Sequence, residues 1–136
     1  ARFAGRVRTL RVFEDNALVR KVLEEEGAGQ VLFVDGGGSL RTALLGGNLA
    51  RLAWERGWAG VVVHGAVRDT EELRGVPIGL LALAATPKKS AKEGKGEVDV
   101  PLKVLGVEVL PGTFLLADED GLLLLPEPPS GVRSGG

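Results

Sequence analysis

The 136-residue chain has no cysteine, no methionine and a single histidine, His64. Without thiols there are no disulfides, no thiolate nucleophile and no cysteine-ligated zinc or iron–sulfur centre. One histidine excludes a two-histidine metal site within one chain, and a strand-end His64 suits a packed residue better than a catalyst. No apolar run approaches a membrane span and no signal peptide is visible, so the expected compartment is the cytoplasm. A net charge of −1 gives no footprint for direct nucleic-acid binding. Lys88, Lys89, Lys92 and Lys95 do cluster, but Glu93 and Glu97 interleave them, and the run reads as a mobile, solvated loop. Neither phosphate-binding pattern is present: GxGxxG from Gly36 would need glycine where Arg41 stands, and the P-loop lysine is missing, which argues against a dinucleotide or S-adenosylmethionine site. Absence of Cys and Met with abundant Leu, Val, Arg and Glu points toward a thermophilic source.

What the chain has is enough apolar residues for one core. It is 44% hydrophobic and 26% charged, and its length suits a single domain over residues 1–136. Residues 3–13 alternate, with Val7, Leu10 and Val12 against Arg6, Arg8 and Arg11, and predict a strand with one wet face. Asp15 is the expected cap of a following helix whose stripe is Ala17, Leu18, Val22 and Leu23. Val31-Leu32-Phe33-Val34 is a continuous apolar run of the kind buried on both faces. A glycine-rich turn, Asp35 to Ser39, ends it. Leu45 to Arg56 predicts a second helix, striped by Leu45, Leu49, Leu52 and Ala53, with Gly46-Gly47 at its start. Glycines there leave the first N–H groups uncovered, so a carboxylate can dock on the positive end of the dipole; simple helix entry is the alternative.

The stretch 57–69 carries the chemistry. Gly57 can end the helix, 61–63 read as a buried strand, Gly65 breaks it, and Arg68 and Asp69 follow side by side. Arginine offers a planar fork to a carboxylate or phosphate, and aspartate offers hard oxygen to a divalent cation. Together they can hold a small oxo-acid and its metal, or form an ordinary ion pair, or Asp69 can cap the short helix read over 69–73. A strand–helix–strand unit with a parallel sheet places residues 46–49 and 68–69 at one crevice. Further on, 78–83, 104–110 and 114–117 predict strands, 86–100 a loop of weak strand content, and 118–121 a hairpin turn with 122–125 returning. Pro126 begins a tail. The class is α/β with a hairpin-rich C-terminal part.

Five blocks in this order, Val12–Asn16, Val34–Ser39, Gly46–Ala50, Gly65–Asp69 and Ala117–Gly121, resemble the family named regulator of ribonuclease E activity A, which is shared with class II 4-hydroxy-4-methyl-2-oxoglutarate aldolases. The resemblance implies a swivelling β/β/α-type domain with a mixed sheet core. It implies a homotrimer or a dimer of trimers with sites between subunits, and a chain lacking the family's N-terminal segment. It further implies cleavage of the substrate to two pyruvates, decarboxylation of oxaloacetate, and Mg2+ or Mn2+ as cofactor. By position, Arg68 would hold the pyruvate unit, Asp69 would ligate the metal, and Gly46, Gly47, Asn48 and Leu49 would bind substrate through the backbone. The family's menaquinone-pathway methyltransferase label does not suit a chain without the cofactor loop. Aldolases of the family carry an acid where this chain has Gly47, so Gly47→Asp is expected to raise lyase activity. The alternative is a non-catalytic regulator that binds ribonuclease E or its helicase partners through protein contacts.

Overall fold

Residues 2–130 are described by a computed structural model. The implied loss of an N-terminal segment, and the end of the tail, lie outside these residues. The elements are β1 (Phe3–Arg11), α1 (Ala17–Leu23), β2 (Val31–Asp35), β3 (Ala43–Leu45), α2 (Gly47–Glu55), β4 (Gly60–Val67), α3 (Glu71–Arg74), β5 (Gly79–Ala85), β6 (Glu97–Val98), β7 (Leu102–Val104), β8 (Val107–Val109), β9 (Phe114–Asp118) and β10 (Gly121–Leu125).

The apolar runs form the middle of a mixed sheet. β1, β2, β4 and β5 are parallel neighbours, and β3 adds to β4 beyond the end of β2. β9 closes the other side antiparallel to β1 and carries β10 as a hairpin. Alternation divides the side chains between two cores. Leu32, Val34, Val61 and Val63 point to the face covered by α1 and α2, where they meet Val19, Val22, Leu49 and Ala53. Val31, Phe33 and Val62 point to the face covered by the β7–β8 hairpin, against Leu102, Val104 and Val109. Both faces of the central strands are therefore dry, which is why β2 and β4 read as unbroken apolar runs. Each fully buried Val or Leu contributes about 1.5–3 kcal/mol by leaving water.

Several expectations shift. The second helix starts at Gly47, not Leu45, because Leu45 belongs to the three-residue β3, too short to show a period. Gly65 does not break β4. The strand continues to Val67 and the disturbance is a register shift against β5 between Val63 and Ala66. Residues 104–110 are not one strand, because Leu105 and Gly106, at φ 51° and 79°, turn β7 back into β8. The turn before β10 forms as expected, with Gly121 at positive φ and the Asp120 N–H donating to the Asp118 carboxylate at 2.8 Å.

The largest correction concerns the lysine-rich segment. Residues 86–96 are mostly exposed, as a solvated loop should be, but their backbone is pinned. Ala43 and Lys89 bridge, as do Asp15 and Ala91. The buried Ser90 hydroxyl contacts Thr42 Oγ1 and donates to the Ala43 carbonyl, each at 2.8 Å. Asp15 is 2% exposed, and its carboxylate accepts the N–H groups of Ala17, Glu93 and Gly94. Asp15 thus stands one residue before the Asn16 cap position and clips the later segment to the start of α1, in addition to touching the helix.

Candidate active site

The parallel order does what the strand–helix–strand reading requires. The carboxyl ends of β3 and β4 and the start of α2 meet, and a cavity of about 510 Å3 opens there. Its wall includes Gly46, Gly47, Asn48, Leu49 and Arg68, all five expected from sequence. No side chain caps α2, and its first helical bond runs from the Ala50 N–H to the Gly46 carbonyl. The N–H groups of Gly47, Asn48 and Leu49 therefore have no acceptor within the helix, and they sit at the positive end of its dipole. Arg68 is held beside them, since its own N–H donates to the Leu45 carbonyl at 2.8 Å. Its guanidinium makes no ion pair among the described residues.

Asp69 goes elsewhere. Its carboxylate is 53% exposed, accepts from Arg74 at 2.7 Å and lies outside the cavity wall, although its neighbours Arg68 and Thr70 are in it. It does not cap α3; that is done by Thr70, whose hydroxyl accepts the Leu73 N–H.

The residue that sequence reading missed is Glu72. It lines the cavity, and its Oε1 lies 3.0 Å from the Arg51 guanidinium. A Cβ built on Gly47 would stand 2.6–2.9 Å from the Cβ, Cγ and Cδ of Glu72. Gly47 is glycine because a carboxylate side chain from the next connection lies across it. A carboxylate from position 72 therefore lies beside position 47, and a side chain added at Gly47 would have to displace it. The only signal in the sequence is the spacing from Asp69 to Glu72, one helical turn, on a segment read as an ordinary capped helix.

Asp69 and Glu72 offer the hard carboxylate oxygen that Mg2+ accepts, but Arg74 and Arg51 engage them, and Asp69 lies outside the cavity wall. Among the described residues no group of three His, Asp or Glu side chains gathers to hold a metal on its own. His64 contributes nothing here: its Nδ1 lies 3.6 Å from Asp35 Oδ1, away from the cavity wall. The Oδ1 of Asn16 is buried without a partner, and Asn16 does line the cavity. The wall further holds Arg20, Lys89 and Lys92. A second depression of about 650 Å3, around Phe13, Glu14, Asp15 and Asp35, holds none of the expected site residues. No helix of the described residues is long and apolar enough to cross a membrane.

Comparison with known proteins gives one family under several names. A family model described as RraA-like, Aldolase/RraA, matches residues 1–124. The chain is 98% identical over 136 residues to a Thermus thermophilus protein named 4-hydroxy-4-methyl-2-oxoglutarate aldolase, covering all of this chain and 83% of that one. A solved structure of a protein described as the RNA-processing inhibitor RraA, also from Thermus, superposes with a TM-score of 0.94 at 97% identity, covering 100% of this chain and 83% of that chain. Another, from Geobacillus kaustophilus and described as an S-adenosylmethionine:2-dimethylmenaquinone methyltransferase, superposes with a TM-score of 0.92 at 47% identity, covering 98% and 83%.

Proposed function

The chain belongs to the RraA-like family, and from that premise we propose that it is a 4-hydroxy-4-methyl-2-oxoglutarate aldolase. The single observation that carries the proposal is the unpaired Arg68 guanidinium beside the open start of α2, with the Glu72 carboxylate across Gly47 in the same cavity. Those groups match the charges of a retro-aldol cleavage. The N–H groups of Gly47, Asn48 and Leu49 bind the substrate's 1-carboxylate. Arg68 holds the 2-keto oxygen, and its fixed positive charge meets the negative charge that develops there. Glu72 accepts the proton of the 4-hydroxyl, directly or through one water. The C3–C4 bond then breaks: C4 becomes the keto carbon of one pyruvate, and the bond pair passes into the enolate of the other. Returning the proton to C3 completes two pyruvates.

A divalent cation, Mg2+ or Mn2+, held by Asp69 would supply Lewis-acid polarisation of the keto and carboxylate oxygens. To hold it, Asp69 would have to give up its pairing with Arg74. The same enolate chemistry supports decarboxylation of oxaloacetate, with carbon dioxide as the leaving group. A homotrimer, or a dimer of trimers, with cavities completed between subunits belongs to the same reading; light scattering that gives a monomer mass across a broad concentration range would count against it.

The decisive assay follows pyruvate release from 4-hydroxy-4-methyl-2-oxoglutarate by the pure protein, with and without Mg2+. Metal-dependent release that is lost in Arg68→Lys is the expected result. Release below that of free Mg2+ would overturn the aldolase reading. The second reading, a regulator that contacts ribonuclease E or its helicase partners, rests on the description of the Thermus structure as an RNA-processing inhibitor. Its support from sequence was the missing acid at Gly47, and Glu72 weakens that support.

A further inference from the structure

The cavity and the second depression are neighbours, and the partition between them is thin. It consists of two segments running side by side, 13–17 and 86–96. Asn16, Lys89 and Lys92 face the cavity of about 510 Å3. Glu14, Asp15 and Glu93 face the depression of about 650 Å3. Residues adjacent in sequence thus look to opposite sides.

What holds 86–96 in that place is polar. Of its residues only Ser90 is buried, and none joins either hydrophobic core of the described residues. On one side the Ala43 N–H donates to the Lys88 carbonyl at 2.8 Å, and the Ser90 hydroxyl reaches Thr42 and Ala43. On the other side the Ala91 N–H donates to the Glu14 carbonyl and the Asn16 N–H to the Ala91 carbonyl, each at 3.0 Å. There too the Asp15 carboxylate accepts from Glu93 and Gly94. A neutral hydrogen bond is nearly balanced by the one to water that replaces it, whereas bonds to an ionised carboxylate are the strong ones. Asp15 therefore dominates the attachment. A segment with no apolar surface in a core opens far more easily than strands set between two dry cores. Its end toward β6 also has a place to bend. Gly94 stands at φ 88° with open space where a side chain would be, so rotation there meets nothing. Gly96 is boxed in, since a Cβ there would stand 2.5 Å from the Arg11 carbonyl oxygen.

We propose that residues 86–96 are a strap with two states, latched by Asp15 and hinged between Gly94 and Gly96, whose opening joins the two depressions into one and takes Lys89 and Lys92 out of the cavity wall. The strap thereby sets the size and the charge of the cavity. Its latch lies on the side away from the cavity, so a substitution there moves the lysines without touching the wall that carries Arg68.

The chain has no cysteine, so Ser90→Cys in the full chain places a single thiol under the strap. Reaction of that thiol with dithionitrobenzoate reports its exposure. Labelling should be far faster than that of Val63→Cys, a core position on β4 at 2% exposure. Its rate should hardly change with urea below the unfolding transition, because opening the strap exposes little surface. The Val63→Cys rate should climb steeply with urea, because only global unfolding exposes it. Asp15→Asn added to Ser90→Cys should speed the labelling about 10–100-fold, as for loss of bonds to a charged group. Hydrogen exchange of the unsubstituted chain is the second measurement, since it needs no new side chain at 90. The amides of Asn16, Ala43, Ala91, Glu93 and Gly94, whose acceptors lie across the partition, should share one urea-insensitive opening. Ser90→Cys labelling with the urea dependence of Val63→Cys, or exchange of those five amides at unrelated rates, would overturn the strap. Labelling left unchanged by Asp15→Asn would overturn the latch. Both measurements are made without substrate, so they stand or fall apart from the aldolase reading.

Discussion

The two walls of the cavity are built on different principles. One wall, residues 45–49 with Arg68, is held by regular structure: parallel strands, a helix start, and backbone bonds such as Arg68 N–H to Leu45. The other wall, residues 86–96, has almost no regular structure and is held by isolated backbone bridges and a few buried polar side chains. A wall of the first kind survives most single substitutions, because its geometry is shared among many bonds and a dry core. A wall of the second kind hangs on few attachments, the side chains of Asp15 and Ser90 and a handful of backbone bonds at residues 86–91, so small changes should loosen it without unfolding the sheet.

The largest effect should come from the regular wall, and it should be chemical only. Arg68→Lys keeps the charge and loses the fork, so kcat/KM for the proposed cleavage should fall about 10^2–10^3-fold, or about 2.7–4 kcal/mol of transition-state stabilisation. The urea midpoint should not move, because no partner of the guanidinium is lost within the fold. A variant with unchanged turnover would remove Arg68 from the site.

Gly47→Asp should come next. The new Cβ meets the Cβ of Glu72 at 2.8 Å, an atom close to the backbone that cannot simply swing away. Glu72 must leave its place over α2, and about 10–10^2-fold of activity should go with it, as for loss of a general base. Gly47→Asp combined with Glu72→Ala should recover part of that loss, because the acid then reaches the cavity from position 47 without the clash. A double variant no better than Gly47→Asp alone would show that the two positions do not share one role.

The contrast between the walls is the contrast between what periodicity reveals and what it cannot. The runs 31–34 and 61–63 announce buried strands because both faces are covered, and Gly46-Gly47 announces a bare helix start. Arg68 follows from those. Glu72 over Gly47 is a meeting of residues 25 apart that depends on how the 68–72 connection folds back, and no local pattern encodes it. The lysine segment misleads for the same reason. Its interleaved charges are solvated as they look, but the groups that pin its backbone and Ser90, Asp15 and Thr42, lie far earlier in the chain. Asp69 shows the converse: its adjacency to Arg68 suggests a shared site, yet the chain turns between them and Asp69 pairs with Arg74.

The third prediction strikes the irregular wall through Asp15. Burial disfavours its charge, but the N–H groups of Ala17, Glu93, Gly94 and Lys95 outweigh that and hold the carboxyl below its ordinary value. The contribution is therefore complete above the unfolded carboxyl's pKa of about 3.9 and disappears as pH falls through the lower folded value. Asp15→Asn keeps the shape and removes the charge. At pH 7 it should lose roughly 1.5–3 kcal/mol in urea unfolding. The gap to the wild type should close as the pH is taken below 4, and a gap that persists there would show that packing, not charge, makes the clip.

The smallest effect should come from Ser90→Ala. The hydroxyl sits at 8% exposure between Thr42 Oγ1 and the Ala43 carbonyl. Alanine fills most of the same space, so there is little cavity term, and the cost is the unmet hydrogen bonding of Thr42, about 1 kcal/mol. Global stability hardly registers a change of that size, but local opening does. The amides of residues 88–94 should exchange about fivefold faster while those of β2 and β4 stay at wild-type rates, since an opening confined to one segment is not shared by the core strands. Equal acceleration across β2, β4 and 88–94 would mean that the two walls open as one unit, and the distinction between them would fail.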